Sequence, residues 1–165
     1  MKHIFRTFKP SDLPLLHALN ESEVPHVGTL MIEKLTRLAK ESVFLSVGES
    51  EAKEFLGFIL CFDERSNYES PNFQWFKARY PKFTYIDRIA VSKNARGQGV
   101  GKLLYEEVKK YTKKKGSPLI TCEVNLVPPN EASMKFHSHL GFKEVGTQSY
   151  ENNTKAVTML TLSLL

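Results

Sequence analysis

Apolar and polar residues alternate from His3 to Phe8 and predict a first strand, which Lys9-Pro10 ends. Ser11-Asp12 then offers a cap for a short helix carrying Leu13, Leu16 and Leu19, and Leu30, Leu35 and Leu38 supply the buried side of a second helix over Thr29 to Glu41. Val43 to Val47 and Phe55 to Phe62 read as two strands of an antiparallel hairpin, joined through Gly48-Glu49-Ser50-Glu51. From Asp63 to Phe83 the periodicity lapses and Tyr68, Phe73, Trp75, Phe76, Tyr80 and Phe83 cluster. This insertion reads as an irregular cap over one sheet end, or as one wall of a ligand site.

Strand character returns from Tyr85 to Val91, and Ser92-Lys93-Asn94-Ala95 turns the chain. Gly99 to Lys115 is the clearest helix, with Val100, Leu103, Leu104, Val108 and Tyr111 at helical spacing and Lys102, Glu106, Lys109 and Lys110 on the wet side. A strand at 118–125 follows Gly116, and the short connection predicts a strand, crossover helix and parallel strand unit. Pro128-Pro129 breaks the chain, Asn130 caps a helix running to about Leu140, and Gly141-Phe142 closes it before two last strands at 142–148 and 157–164. The expected fold is one α/β domain over residues 1–165, a central mixed, mostly antiparallel sheet with helices on both faces.

Composition narrows the class. The 165 residues are 41% hydrophobic and 25% charged, the balance of a folded globular protein. The charged start Met1-Lys2-His3-Ile4-Phe5-Arg6 and the lack of any long apolar run predict a cytoplasmic protein with no membrane partner. Cys61 and Cys122 each lie in an apolar strand and read as reduced core thiols. The five histidines form no ligand pattern with acids or cysteines, so no metal is expected. A net charge of +5 suits an anionic small molecule. The densest basic run, at Lys109 to Lys115, ends a helix where positive charge favours the dipole, so no specific nucleic-acid partner is expected.

The chemistry concentrates in Arg96-Gly97-Gln98-Gly99-Val100-Gly101, between a strand and a helix. Glycines let successive backbone N–H groups turn inward, and the helix start adds free donors and a positive dipole end. This is an anion cradle suited to a diphosphate, with Arg96 and Lys102 bracketing it. A Walker loop is absent, and Gly97, Gly99 and Gly101 give G-x-G-x-G instead of the dinucleotide fingerprint.

Arg96, Gly99 and Gly101 behind Ile89-Ala90-Val91, with Asn130, Ser133, His137 and Gly141-Phe142 downstream, resemble the two signatures of the Gcn5-related N-acetyltransferase superfamily. The resemblance covers about residues 84 to 145. It implies transfer of an acetyl group from acetyl-coenzyme A, as co-substrate, to an amine. It also implies a splayed pair of parallel strands with a slot between Val91 and Val124. The backbone of Ile89, Ala90 and Val91 would pair with the pantetheine arm. The amides of Arg96, Gly97, Gln98, Gly99, Val100, Gly101 and Lys102 would bind the pyrophosphate, and Asn130 would contact the arm. His137 stands where that family usually has tyrosine, near the thiol sulfur.

For the chemistry, His137 is a candidate proton donor to sulfur, or else a residue of positioning, water binding or packing beside Phe136. Asp87 and Glu123 are candidate bases, acting directly or through water, and Tyr85 is a third. The alternatives are Asp87 paired with Arg88 and Glu123 at a solvated sheet edge. Glu21 and Glu23 are candidates to shape an acceptor pocket for a cationic amine. The insertion favours a small-molecule amine over a protein tail, with the protein acting as monomer or homodimer. A non-enzymatic acyl-coenzyme A sensor is the competing reading, and a nucleic-acid-binding protein the third.

Overall fold

β1 (His3–Thr7) lies antiparallel to β2 (Phe44–Ser50), which pairs with β3 (Phe55–Asp63) in the same sense. A computed structural model describes residues 2–165 and extends this ladder to seven strands. With β4 (Thr84–Val91), β5 (Leu119–Val127), β6 (Lys143–Tyr150) and β7 (Lys155–Ser163), the order is β1-β2-β3-β4-β5-β7-β6. The sheet is mostly antiparallel, and β4 with β5 is its parallel pair, as the sequence predicts. Among the described residues five α-helices accompany it: α1 (Leu13–Ser22), α2 (Ile32–Glu41), α3 (Pro71–Lys77), α4 (Val100–Lys114) and α5 (Glu131–His139).

The described residues divide into two compact units, 2–62 with 86–111 and 63–85 with 112–165. In the first, Leu16, Leu35, Leu38, Val47, Phe58, Leu60, Leu104 and Val108 are all buried, so the helical and strand periodicities read from sequence do face a core. β2 is longer than expected. Gly48, Glu49 and Ser50, predicted as turn, instead pair with Phe5, Ile4 and His3, and the reversal falls after Ser50, where Ser50 N donates to Glu54 O and Lys53 adopts φ 64°. Asp12 does not cap α1. Its carboxylate takes both Arg6 Nη atoms at 2.8 Å and the Lys9 amide at 2.7 Å, a stronger set of bonds than one cap offers. The second helix starts at Ile32, because Thr29 and Leu30 are drawn off by the Glu21 carboxylate.

The second unit is built on β5, β6 and β7. β7 pairs with β5 from Leu119↔Ser163 to Val127↔Ala156 and with β6 from Lys143↔Thr161 to Tyr150↔Lys155. The parallel register is Thr84↔Ile120 and Tyr85↔Thr121. The aromatic insertion is not irregular: Ser70 caps α3 by accepting from Phe73 N, and Pro71 stands in its first turn. Phe73, Phe76, Phe83 and Tyr85 are fully buried, with ring centroids 5.4 to 6.4 Å apart, so these aromatics are a core as well as a wall. Cys61 and Cys122 are buried thiols outside any disulfide among the described residues, and burial pushes the Cys61 thiol well up, so both behave as core residues. No described helix is long and apolar enough to cross a membrane.

Candidate active site

The turn after β4 is held by backbone bonds to β3 and within itself. Ser92 N donates to Leu56 O at 2.8 Å, and Ala95 N returns to Ser92 O at 2.9 Å. Gln98 Nε2 donates to Asn94 O at 2.8 Å, which fastens one side chain of the turn to its start. Gly97 and Gly99 adopt φ +75° and +79°, where L side chains are strained, yet a Cβ at either would meet nothing within 4 Å. Glycine is required there by conformation, and the space above it stays open. Leu103 N donates to Gly99 O, so α4 begins directly and its first amides, of Val100, Gly101 and Lys102, have no partner within the helix ladder. The turn therefore fits a diphosphate: open space, backbone donors, and the exposed Lys102 nearby.

The strand leading into this turn is closely supported. A Cβ added at Gly57 of β3 would lie 2.5 Å from Ala90 O and 3.2 Å from the Val91 Cα, an approach only glycine permits. Ala90 is buried, while Ile89 and Val91 are half-buried.

Arg96 engages the carboxylate of Glu23, and its Nε donates to Val91 O at 3.4 Å. Glu21 accepts from Leu30 N at 2.8 Å, from Thr29 Oγ1 at 2.7 Å and from Asn20, and these donors, the Leu30 amide first, hold its carboxyl below the usual range. Both carboxylates expected to shape an acceptor pocket are thus bonded within their own loop or to Arg96. Asp87 pairs with Arg88 at 3.1 Å, and Arg88 Nη1 also donates to Gly28 O at 2.6 Å and Asn20 Oδ1 at 3.0 Å. Arg88 ties the segment after α1 to β4, and Asp87 balances its charge.

Glu123 and Tyr85 are brought together. Tyr85 Oη donates to Glu123 Oε1 at 2.8 Å, and Asn72 Nδ2 of α3 donates to the same oxygen at 3.3 Å. Gln148 Nε2 of β6 donates in turn to Asn72 Oδ1 at 2.8 Å. Glu123 is half-buried and Tyr85 fully buried. Tyr150, also on β6, titrates above its ordinary range because it is buried, with the Glu123 charge adding to the effect and Lys155 opposing it. A carboxylate with donors converging on one oxygen can bind an ammonium group and take a proton from it.

Asn130 caps α5, its Oδ1 accepting from Ser133 N at 3.2 Å, and so serves a structural bond whatever else its amide does. His137 is buried two turns on, one turn after Ser133. Its Nδ1 lies 2.7 Å from Ser133 O, and its ring meets Phe136 and Phe142 edge-on at 5.5 and 5.2 Å. A carbonyl only accepts, so Nδ1 carries the proton and the neutral ring presents a lone pair at Nε2. Burial shifts His137 below its ordinary range, against the opposing Ser133 bond.

Residues 15–142 match the Acetyltransferase (GNAT) family. The chain belongs to that family. Its fold is shared with Ard1 from Thermoplasma volcanium (17% identity, 100% of this chain and 99% of that one, TM-score 0.79). It is shared also with Arabidopsis thaliana NAA60, solved in complex with acetyl-CoA (17%, 99% and 99%, 0.76), and with an N-acetyltransferase from Staphylococcus aureus Mu50 (21%, 100% and 100%, 0.69). No curated protein matches the sequence at a significant level.

Three contributors were not singled out by the sequence pattern. Asn72 and Gln148 lie 76 residues apart and meet only through the fold. Gly57 interrupts an apolar run, Phe55-Leu56-Gly57-Phe58-Ile59, and an isolated glycine inside a strand is the signal of close backbone approach that identifies it.

Proposed function

We propose that the chain is an acetyl-coenzyme A-dependent N-acetyltransferase whose acceptor is a protonated amine of a small molecule. The observation that carries the reading is the Glu123 carboxylate, held by Tyr85 and Asn72. The left-handed Gly97 and Gly99 support a role for the turn from Arg96 to Lys102 in binding the pyrophosphate of the co-substrate. The backbone of Ile89 to Val91 and the amide of Asn130 are assigned to its pantetheine arm. Acetyl-coenzyme A supplies the activated acetyl group.

Glu123 takes one proton from the bound ammonium group and so frees the nitrogen lone pair. A C–N bond forms at the thioester carbonyl while the C–S bond breaks, and its electron pair stays on sulfur. The second proton lost by nitrogen neutralises the thiolate, and the proton on Glu123 passes to solvent, so each turnover releases one proton net. His137, with Nδ1–H committed to Ser133 O, leaves Nε2 as an acceptor and not as a proton donor. Asp87 acts on Arg88 and does not serve as the base.

A panel of polyamines, amino sugars, amino acids and short peptides, assayed for released coenzyme A thiol, tests the reading. Turnover on a small amine that fails in Glu123→Gln is expected. Reaction with peptides only would overturn the acceptor class, and binding of acetyl-coenzyme A without turnover on any amine would favour the sensor.

A further inference from the structure

We propose that Asn72, delivered by the insertion helix α3, is a positioning residue for Glu123, and that Gln148 sets which end of the Asn72 amide the carboxylate meets. The inference rests on the assignment of Glu123 to the acceptor ammonium group. Its geometry is a chain of side chains from three elements: Gln148 of β6 donates to Asn72 of α3, and Asn72 donates to Glu123 of β5.

The direction of that chain follows from what each group can do. A carboxylate oxygen only accepts, so the Asn72 amide must turn Nδ2 toward Glu123. Its Oδ1 then faces away and needs a donor, which Gln148 Nε2 supplies at 2.8 Å. Flipping either amide would set two acceptors, or two donors, against each other. The Asn72 bond joins that of Tyr85 on Oε1, so the carboxylate is gripped from α3 and from β4 at one atom. Packing alone does not explain this, since an apolar residue would fill the half-buried position of Asn72 among the aromatics of α3. The insertion helix thereby takes part in the chemistry, because it carries the group that aims the acceptor carboxylate.

Titratable groups that act on Glu123 include Tyr85 from β4 and Tyr150 from β6, with Lys155 of β7 and Glu151 acting on Tyr150. Asn72 itself is neutral and meets Glu123 as a donor. Asn72→Asp keeps the shape, removes the donor and places a negative charge about 3.3 Å from Oε1. Gln148→Glu changes the amide that orients Asn72 and leaves Asn72 itself in place.

The test uses the full chain and two readouts. Carbon NMR of glutamate carboxyls, assigned through Glu123→Gln, follows the Glu123 titration without any turnover. In Asn72→Asp the midpoint should rise by at least about half a pH unit, with a smaller rise in Gln148→Glu. The acidic limb of kcat/KM for the best panel amine should move by the same amount, and Asn72→Ala should lose about tenfold or more in kcat/KM. Thermal melting identifies variants that fail to fold, and Gln148→Glu keeps the test open if Asn72→Asp is one of them. A Glu123 midpoint unchanged in folded Asn72→Asp and Gln148→Glu would overturn the proposal. If Glu123→Gln retains full turnover, the acceptor assignment fails, while the NMR titration still reports whether Asn72 holds the carboxylate.

Discussion

Tyr85 Oη reaches Glu123 Oε1 across 2.8 Å between two parallel strands. Tyr85 stands in register with Thr121, and Glu123 lies two residues further on the same face of β5, the diagonal arrangement a long phenol can span. Removing the hydroxyl should therefore act on the carboxylate and hardly on the core. Tyr85→Phe should lower kcat/KM for the acceptor by roughly 10 to 100-fold, the worth of one hydrogen bond to a charged group. Glu123→Gln should cost about 10² to 10⁴-fold in turnover, as removal of a base does. Initial rates at saturating acetyl-coenzyme A check both, and a Tyr85→Phe enzyme indistinguishable from wild type would separate the phenol from the chemistry.

The strand and turn proposed to bind the co-substrate should fail in two different ways. Gly99→Glu puts bulk, charge and φ strain at an open turn, so acetyl-coenzyme A should no longer raise the melting temperature, while the unliganded protein loses only about 1 to 2 kcal/mol. Gly57→Ala meets Ala90 O at 2.5 Å and must displace strand backbone. It should destabilise the free protein by about 1 to 3 kcal/mol and also weaken the co-substrate. Calorimetric titration beside chemical unfolding distinguishes them, and a Gly57→Ala protein of normal stability would mean that the strands separate easily there.

Strand order around the glycine turn was legible because the β4, turn, α4, β5 sequence has strong periodicity and sharp punctuation in Gly97, Gly99 and Gly116. The turn residues themselves were legible for the same reason, since positive φ leaves glycine as its trace. What the sequence hid was side-chain partnership at long range. Asp12 looks like a helix cap until Arg6 is placed beside it, and Glu21 and Glu23 look like pocket carboxylates until the loop folds back onto them. Asn72 sits in a stretch without periodicity, where aromatic residues masked a short helix. Tyr85 and Glu123 were recognisable as separate candidates, but only the parallel register makes them one unit.

The Arg6 and Asp12 pair should show in acid stability. Arg6, foremost through its hydrogen bonds, holds the Asp12 carboxyl below its ordinary value of 3.8, and Arg6 is itself shifted up. The unfolded chain then binds a proton at a pH where the folded chain does not, so the contribution is full above about pH 4 and lost as pH falls through the lower folded value. Asp12→Asn should be less stable than wild type by about 2 to 4 kcal/mol at pH 7, with the gap closing below pH 4. Urea unfolding across pH 3 to 7 measures it, and a gap independent of pH would assign the effect to packing.

His137 provides a prediction with two independent halves. Its folded value is lowered by burial, so below about pH 6.5 the unfolded chain takes up a proton that the native ring refuses. Wild type should therefore lose stability as pH falls from about 6.5, until the folded ring itself protonates, and His137→Phe should lack that slope. The kinetic half follows from the same protonation state. With Nδ1–H on Ser133 O and the ring neutral, Nε2 accepts and has no proton to give to a leaving thiolate at neutral pH. His137→Phe should then lose about tenfold or less in turnover, and wild-type turnover should not fall between pH 7 and 9. A loss beyond about 10²-fold, with wild-type rates declining as the imidazolium is titrated away, would instead make His137 the acid. A pre-steady-state burst must be sought in both proteins, because slow product release levels their steady-state rates and would hide a defect in the chemical step.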